Sequence, residues 1–223
     1  MKTKPSPNFD LRPADIPIDI LVFHYTGMAS AQAALERMSD PEAEVSAHYM
    51  IEEDGTVWSL VEEESRSWHA GVAYWRGDTN INARSIGIEL VNPGHEFGYA
   101  AFGFPQMESA IKLATEILSR HDIPARNVVG HSDVAPTRKS DPGEYFNWQV
   151  LASQGIGLWP RAADHLEMDR PALAEALTQI GYDVSDFPAA LKAFQRHFRP
   201  SRVTGRVDAE TARLIIGLTQ MLG

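Results

Sequence analysis

The sequence predicts an α/β fold in which helices flank a mixed central β-sheet and a small three-helix domain follows. The segment IDILVFHY at 18–25 is a continuous apolar, β-prone run, which is typical of a strand buried on both faces. Apolar residues recur at helical spacing in 106–121, and NVVGHSD at 127–133 then predicts another short strand. Two strand-like segments within 48–61 flank an Asp-Gly pair, which is typical of a tight hairpin turn. Strands therefore alternate with helices, and one antiparallel hairpin makes the sheet mixed.

The remaining elements of the first part follow in chain order. Four prolines in residues 1–17 disfavour a helix and indicate an extended arm on the surface. Ser30 followed by AQAALERM predicts a helix with a side-chain N-cap. SIGIELVN at 85–92 alternates between two faces and predicts a strand, with Glu89 on one face and Gly87 beside it leaving space for a substrate.

With 223 residues, the chain is longer than most single domains, so we predict a larger domain with a smaller appended one. We place the larger domain at 18–160 and a linker without periodicity at 161–168. Residues 169–223 carry three short amphipathic stripes, with Asp169 and Asp208 as helix caps. We expect these stripes to bury one another, so that the larger domain folds without them.

Composition excludes some functions and limits the chemistry. The formal charge is −10, from 20 Lys and Arg against 30 Asp and Glu, and no basic run occurs, so binding to nucleic acid is not expected. Because cysteine is absent, a metal site has to be built from His, Asp and Glu. The chain shows neither an apolar stretch of signal-peptide length nor a transmembrane segment, which predicts a cytoplasmic protein. The alternative is a periplasmic or envelope-attached protein whose signal segment has been removed.

Three side chains that suit a metal stand at or after predicted strands. His24 ends the first buried strand, His131 ends the strand at 127–133, and Asp141 lies in the loop beyond it. Proteins of the α/β class place ligand sites at such positions. The spacing lacks the short helical pair of common zinc motifs, so on this evidence each histidine is either a ligand or a hydrogen-bonded structural residue.

Five segments occur in one order along the chain: FHYT, SAHYMIEEDG, WHAG, NARSIGIEL and GHSDVAPTRKSDPG. Over about residues 18–160 they resemble the N-acetylmuramoyl-L-alanine amidase type 2 family, related to phage lysozyme-amidases and peptidoglycan recognition proteins. The resemblance implies a zinc hydrolase that cleaves the amide bond between the muramic acid lactyl group and L-alanine in peptidoglycan or muropeptides. It also implies one zinc ion per chain, held by His24, His131 and Asp141, with the fourth position left for the attacking water.

The same resemblance implies roles for further residues. Glu89, in SIGIE, is implied as the general base that takes the water proton and later protonates the leaving amine, although the strand pattern alone favours a solvent-facing glutamate. Lys139, in TRKSDPG, is implied to stabilise the oxyanion, and a surface lysine is the alternative. Trp68 and His69 in SWHAG, with Asn82 nearby, are candidates for the groove that binds sugar and stem peptide, and loop packing is their alternative.

The tail resembles the small three-helix peptidoglycan-binding domains appended to many wall hydrolases, in LTQIGYD, ALKAFQRHF and VTGRVDAETARLI. A helical cap that only stabilises the catalytic domain is the alternative. Such a binding domain favours polymeric wall as the substrate, whereas a cytoplasmic address favours soluble anhydro-muropeptides. The sequence leaves this choice and the oligomeric state open.

Two other functions use the same fold or the same chemistry. A non-catalytic protein that recognises muropeptides would lack a zinc ligand or the catalytic glutamate, but the three ligands, Glu89 and Lys139 are all present. A zinc peptidase acting on the stem peptide is the second alternative, because metal-activated water attacks any well-placed amide.

Overall fold

The computed structural model describes residues 1–164 and 169–222, so residues 165–168 of the predicted linker and residue 223 lie outside the described residues. The strands are β1 (Lys2–Thr3), β2 (Phe9–Leu11), β3 (Ile20–Tyr25), β4 (Tyr49–Ile51), β5 (Val57–Ser59), β6 (Ser65–Ser67), β7 (Ser85–Leu90) and β8 (Val128–Gly130). The α-helices are α1 (Ala31–Ser39), α2 (Ile81–Arg84), α3 (Gly94–Phe97), α4 (Phe104–Arg120), α5 (His131–Val134), α6 (Trp148–Ser153), α7 (Arg170–Ile180), α8 (Phe187–Phe198) and α9 (Ala209–Leu222). Within the described ranges, none of these helices is both long and apolar enough to cross a membrane.

The main sheet is mixed and has the strand order β1-β5-β4-β7-β3-β8, while β2 and β6 pair separately. The central pairings, β4 with β7, β7 with β3 and β3 with β8, are all parallel. β4 and β5 are antiparallel and form the predicted hairpin, in which the Asp54 carboxylate accepts a hydrogen bond from Thr56 N–H at 2.8 Å. The predicted fold class, a mixed central sheet with helices packed on it, is confirmed.

Apolar clusters fill both faces of this sheet, because successive residues of a strand point to opposite sides. On the first face, Leu21 and Phe23 of β3 pack with apolar residues of α4 and α6. On the second face, Ile20 and Val22 of the same strand pack with apolar residues of α7, α8 and α9. A smaller cluster lies beneath α1, which begins at its predicted cap Ser30.

The C-terminal helices complete the second face of the sheet. Their predicted caps are present: the carboxylates of Asp169 and Asp208 each accept a backbone N–H hydrogen bond at 3.0 Å. We expected the three helices to form a core of their own, but Leu177 and Phe194 belong to the same cluster as Val22 of β3. The expectation of an independent core is wrong, because an apolar stripe shows that a helix has a side to bury and not which surface covers it. The bounds of the two predicted domains stay a prediction.

Candidate metal centre

Three of the predicted site residues meet at the carboxyl ends of neighbouring parallel strands. His24 lies near the end of β3, His131 begins α5 directly after β8, and Asp141 lies in the loop that follows α5. Because β3 and β8 pair in parallel, their ends lie side by side. All three residues are buried, with exposed fractions of 1%, 3% and 5%.

The candidate ligand atoms converge on one point. Nδ1 of His24 lies 2.9 Å from Nδ1 of His131 and 3.2 Å from Oδ2 of Asp141, and the last two atoms are 3.0 Å apart. Tetrahedral zinc, bound at about 2.0–2.1 Å, separates its ligand atoms by about 3.3 Å, which is close to these distances. Two imidazoles and a carboxylate that face one another away from water need a cation or a proton between them. The residues present therefore fit a metal ion with two nitrogen ligands and one oxygen ligand.

The charge states of these groups also suit metal binding. Burial, reinforced by the neighbouring His131, lowers the pKa of His24 to about 4, so its imidazole is neutral near pH 7. Burial favours a higher pKa for Asp141, but His131 and His24 outweigh it and hold that pKa well below its usual range. A neutral imidazole and an ionised carboxylate are the forms that bind metals.

Each imidazole is also held from behind through its other nitrogen. Nε2 of His131 donates a hydrogen bond to the carbonyl oxygen of Ala70 at 3.0 Å. Nε2 of His24 lies 3.0 Å from Nδ1 of His69. Partners of this kind fix the orientation and the tautomer of a ligand ring.

Glu89 lies beside the cluster on the adjacent strand. The register pairs it with His24 across β7 and β3, so both side chains project from the second face. Its Oε2 is buried and has no hydrogen-bond partner among the described residues. Burial raises the pKa of Glu89 to about 8, and the Asp141 carboxylate adds to the rise, while Lys139 opposes it. A buried carboxylate oxygen without a donor indicates that water, substrate or a cation completes the site.

Lys139 lies on the solvent side of the cluster. Its side chain is exposed, and its positive charge lowers the pKa of both His24 and Glu89. An ammonium group within electrostatic reach of both groups can stabilise negative charge that develops on a bound carbonyl.

The structure places the three groove candidates at different depths. Trp68 is half-buried, whereas His69 and Asn82 are 5% and 7% exposed. Oδ1 of Asn82 accepts hydrogen bonds from the backbone N–H groups of His69 at 3.3 Å and Ala70 at 2.8 Å. Asn82 therefore shapes the loop that carries His69, and the substrate contacts of all three residues stay a prediction.

The space beside Gly87 is filled by protein. A Cβ atom on this glycine would lie 2.6 Å from Cγ of His69, so the close approach of the ring to β7 requires a glycine here. The expectation that Gly87 leaves space for a substrate is therefore wrong. Two groups that support the site were also beyond sequence reasoning: the hydroxyl of Ser85, 3.0 Å from Nε2 of His69, and the carbonyl of Ala70. A backbone carbonyl carries no sequence signal, and a serine at the start of a strand has many ordinary uses.

Comparisons with known proteins show to which family the chain belongs. Residues 14–144, more than half of the chain, match the family described as N-acetylmuramoyl-L-alanine amidase. The chain belongs to this family. It is 38% identical to the N-acetylmuramoyl-L-alanine amidase AmiD from Escherichia coli, over 92% of this chain and 84% of that protein. It is 32% identical to the 1,6-anhydro-N-acetylmuramyl-L-alanine amidase AmpD from the same species, over 67% of this chain and 91% of that protein.

Solved structures show the same relationship. AmiD from E. coli, in complex with the substrate anhydro-N-acetylmuramic acid-L-Ala-D-gamma-Glu-L-Lys, has a TM-score of 0.85 and 38% identity, covering 94% of this chain and 92% of that one. AMPDH3 from Pseudomonas aeruginosa, in complex with anhydromuramic pentapeptide, has a TM-score of 0.83 and 34% identity, covering 94% of this chain and 95% of that one. The family that the motifs indicate and the fold class predicted from the order of strands and helices are confirmed. The resemblance of the C-terminal helices to wall-binding domains stays a prediction.

Proposed function

We propose that this protein is a zinc-dependent amidase that hydrolyses the bond between the lactyl group of N-acetylmuramic or anhydromuramic acid and L-alanine. The observation that carries the proposal is the buried cluster of His24, His131 and Asp141, which lies beside a carboxylate oxygen of Glu89 that has no hydrogen-bond partner in the described part of the chain. Membership of the amidase family gives the reaction. Anhydromuramic peptides are a supported substrate class, because AmiD and AMPDH3 are both found in complex with them.

One metal ion per chain is proposed at the cluster. Three protein ligands leave a fourth position open, as in catalytic rather than structural zinc sites. When bound, zinc supplies a nucleophilic water near neutral pH, by lowering the water pKa towards ~7, and polarises the amide carbonyl. The cysteine-free donor set suits zinc, which accepts imidazole and carboxylate ligands.

Glu89 is proposed to hold and move the proton. Its pKa of about 8 applies to the cluster without a cation. Positive charge at the ligand atoms would lower that pKa, since an opposite charge favours the ionised form. The ionised carboxylate then accepts a proton from water at Oε2 and returns it to the leaving amine. Lys139 stabilises the charge on the former carbonyl oxygen.

The test compares Glu89→Gln with the wild type on a soluble anhydromuropeptide. The variant keeps the shape of the side chain and loses the proton acceptor, so we expect full zinc content and turnover lowered by ~10²–10⁴. Glu108→Gln, at an exposed position of α4, is the matched control and should match the wild type. Near-normal turnover in Glu89→Gln would contradict the proposed role of Glu89.

Mass spectrometry of the products separates the proposed reaction from its alternatives. Release of intact stem peptide from the sugar supports the amidase, whereas cleavage within the stem peptide indicates a zinc peptidase. Binding without cleavage indicates a recognition protein, and full activity in a verified metal-free sample would contradict the zinc mechanism. The predicted cytoplasmic address is a separate proposal, which fractionation of the source cells would test.

A further inference from the structure

His69 is a buried histidine for which the proposed mechanism has no role. Its ring lies against the ligand His24, with the centroids 5.1 Å apart and the planes at 87°. Nδ1 of His69 is 3.0 Å from Nε2 of His24, and Nε2 of His69 is 3.0 Å from Oγ of Ser85. Both ring nitrogens are thus used within the protein, and only 5% of the residue is exposed.

The direction of this hydrogen-bond chain is fixed from its far end. Oγ of Ser85 donates its single proton to the carbonyl oxygen of Ile81 at 2.6 Å. Ser85 therefore accepts from Nε2 of His69, which must carry the ring proton, and Nδ1 of His69 must act as an acceptor. The only proton that His24 can offer to it is on Nε2. Nδ1 of His24 is consequently left with a free lone pair, and this is the atom that faces His131 and Asp141.

Neighbouring groups hold the His69 ring in this position. Gly87 allows the ring to lie against β7, where a Cβ atom would be 2.6 Å away. The backbone of the His69 loop is held by Oδ1 of Asn82. Residues from the segments SWHAG and NARSIGIEL are therefore combined in one support behind His24.

We propose that His69 is a positioning residue for the metal ligand and not a residue of the substrate groove. Together with Ser85, it selects the tautomer of His24 that binds a metal and fixes the orientation of that ring. The inference rests on one part of the proposed function, the binding of zinc by the cluster, and not on the reaction. Loss of such a partner typically lowers metal affinity by roughly 10–100-fold.

The experiment measures zinc affinity without substrate, by competition with a chelating dye, and separately measures kcat and KM at saturating zinc. His69→Leu removes the acceptor, and we expect its zinc affinity to fall roughly 10–100-fold with KM little changed. His69→Asn keeps an oxygen acceptor near the position of Nδ1, so it should recover most of the lost affinity. His121→Asn, outside the cluster, is the histidine control and should bind zinc as the wild type does.

Wild-type zinc affinity in His69→Leu together with a raised KM would overturn the proposal and return His69 to the substrate groove. Equal losses in His69→Leu and His69→Asn would also overturn it, because the acceptor would then not matter. If His69→Leu does not fold, Ser85→Ala tests the same series of hydrogen bonds from its other end. We expect a smaller loss of zinc affinity in this variant, and an unchanged zinc affinity would contradict the proposed role of Ser85 and His69. A wild-type protein that binds zinc but cleaves no muropeptide would contradict the proposed function and leave the zinc measurements on His69 valid.

Discussion

The two faces of the central sheet are built differently, and a single strand shows the contrast. On the first face, Leu21 and Phe23 of β3 are both core residues beneath α4 and α6. On the second face, Ile20 and Val22 pack under the C-terminal helices, and the next residue on that face is the ligand His24. The first face is therefore apolar along this strand. On the second face, the core residue Val22 is followed directly by the metal ligand His24. The C-terminal helices therefore contribute to the core that supports His24.

A buried carboxylate joins those helices to the second ligand. Asp133, 1% exposed, accepts hydrogen bonds at 2.7 Å from the Tyr182 hydroxyl, from Nδ1 of His197 and from the backbone N–H of Gly130. It lies on α5, the short helix that begins with His131. The C-terminal helices thus contact the ligand-bearing helix through polar bonds as well as through the shared core.

The largest effect is expected from deleting the C-terminal helices after Arg161. Deleting the helices exposes Ile20 and Val22 of β3, which are completely buried in the shared cluster, and each such side chain contributes about 1.5–3 kcal/mol by burial. Net stabilities are only about 5–15 kcal/mol, so exposing these residues and the others that the helices cover removes a large part of the stability. We expect the truncated chain to lose cooperative thermal unfolding and turnover on a soluble anhydromuropeptide.

Full-length protein is the reference for this deletion, and pelleting with purified sacculi is measured in parallel. Normal melting and normal soluble turnover in the truncated chain would show that the second face is complete without the helices. Weaker binding to sacculi would in that case support the predicted wall-binding domain.

The next effect concerns the polar end of the second face. Lys139→Ala removes the exposed ammonium whose charge acts on His24 and Glu89. We expect turnover to fall by ~10²–10³ if this group is a main partner of the oxyanion, with zinc content unchanged. Lys112→Ala, at an exposed position of α4 on the first face, is the matched control. Equal activities of the two variants would make Lys139 an ordinary surface lysine.

The elements whose sequence signals are local were predicted correctly. The buried strand ending in His24, the hairpin and the cap at Ser30 each depend on neighbouring residues, and each is present. The packing of the C-terminal helices on β3 depends on residues far apart in the chain, and periodicity does not encode such partners. The supporting position of His69 was not predicted for the same reason, because it depends on the hydroxyl of Ser85 and on the missing Cβ atom of Gly87.

A smaller effect is expected at the polar link between the helices and α5. Tyr182→Phe removes one buried hydrogen bond to Asp133 and keeps the ring. Leaving a buried carboxylate short of one donor costs about 1–3 kcal/mol, so we expect a lower thermal midpoint with zinc binding retained. Tyr145→Phe is the control, because Tyr145 is 56% exposed and should change stability by less than about 0.5 kcal/mol. Equal midpoints for the two variants would mean that the Asp133 link contributes nothing to stability.

The smallest effect, and one that depends on pH, is expected at the end of α4. Glu63 accepts hydrogen bonds from Tyr49 at 2.7 Å, from Arg120 at 2.7 Å and from His121 at 2.6 Å. Burial by itself would raise the pKa of Glu63, but hydrogen bonds from Arg120, Tyr49 and His121 outweigh it and lower the pKa to about 2, against an ordinary value of 4.5. A carboxyl group whose pKa is lower in the folded state stabilises the fold above its unfolded pKa. That stabilisation is lost as the pH falls from about 4.5 to about 2.

Glu63→Gln should therefore melt at a lower temperature than the wild type near pH 7, because the amide cannot form the charged pair with Arg120. The gap between the two midpoints should narrow as the pH falls below about 4.5, because the unfolded wild-type chain then binds a proton at Glu63 that the folded chain does not take up until about pH 2. Thermal melts of both proteins between pH 7 and about pH 3 measure this gap, and Glu62→Gln at the neighbouring exposed position should follow the wild type throughout. A gap that stays constant with pH would show that Glu63 stabilises the fold through the shape of its side chain and not through its charge. The link between Glu63 and α4 would then act as apolar packing does on the first face.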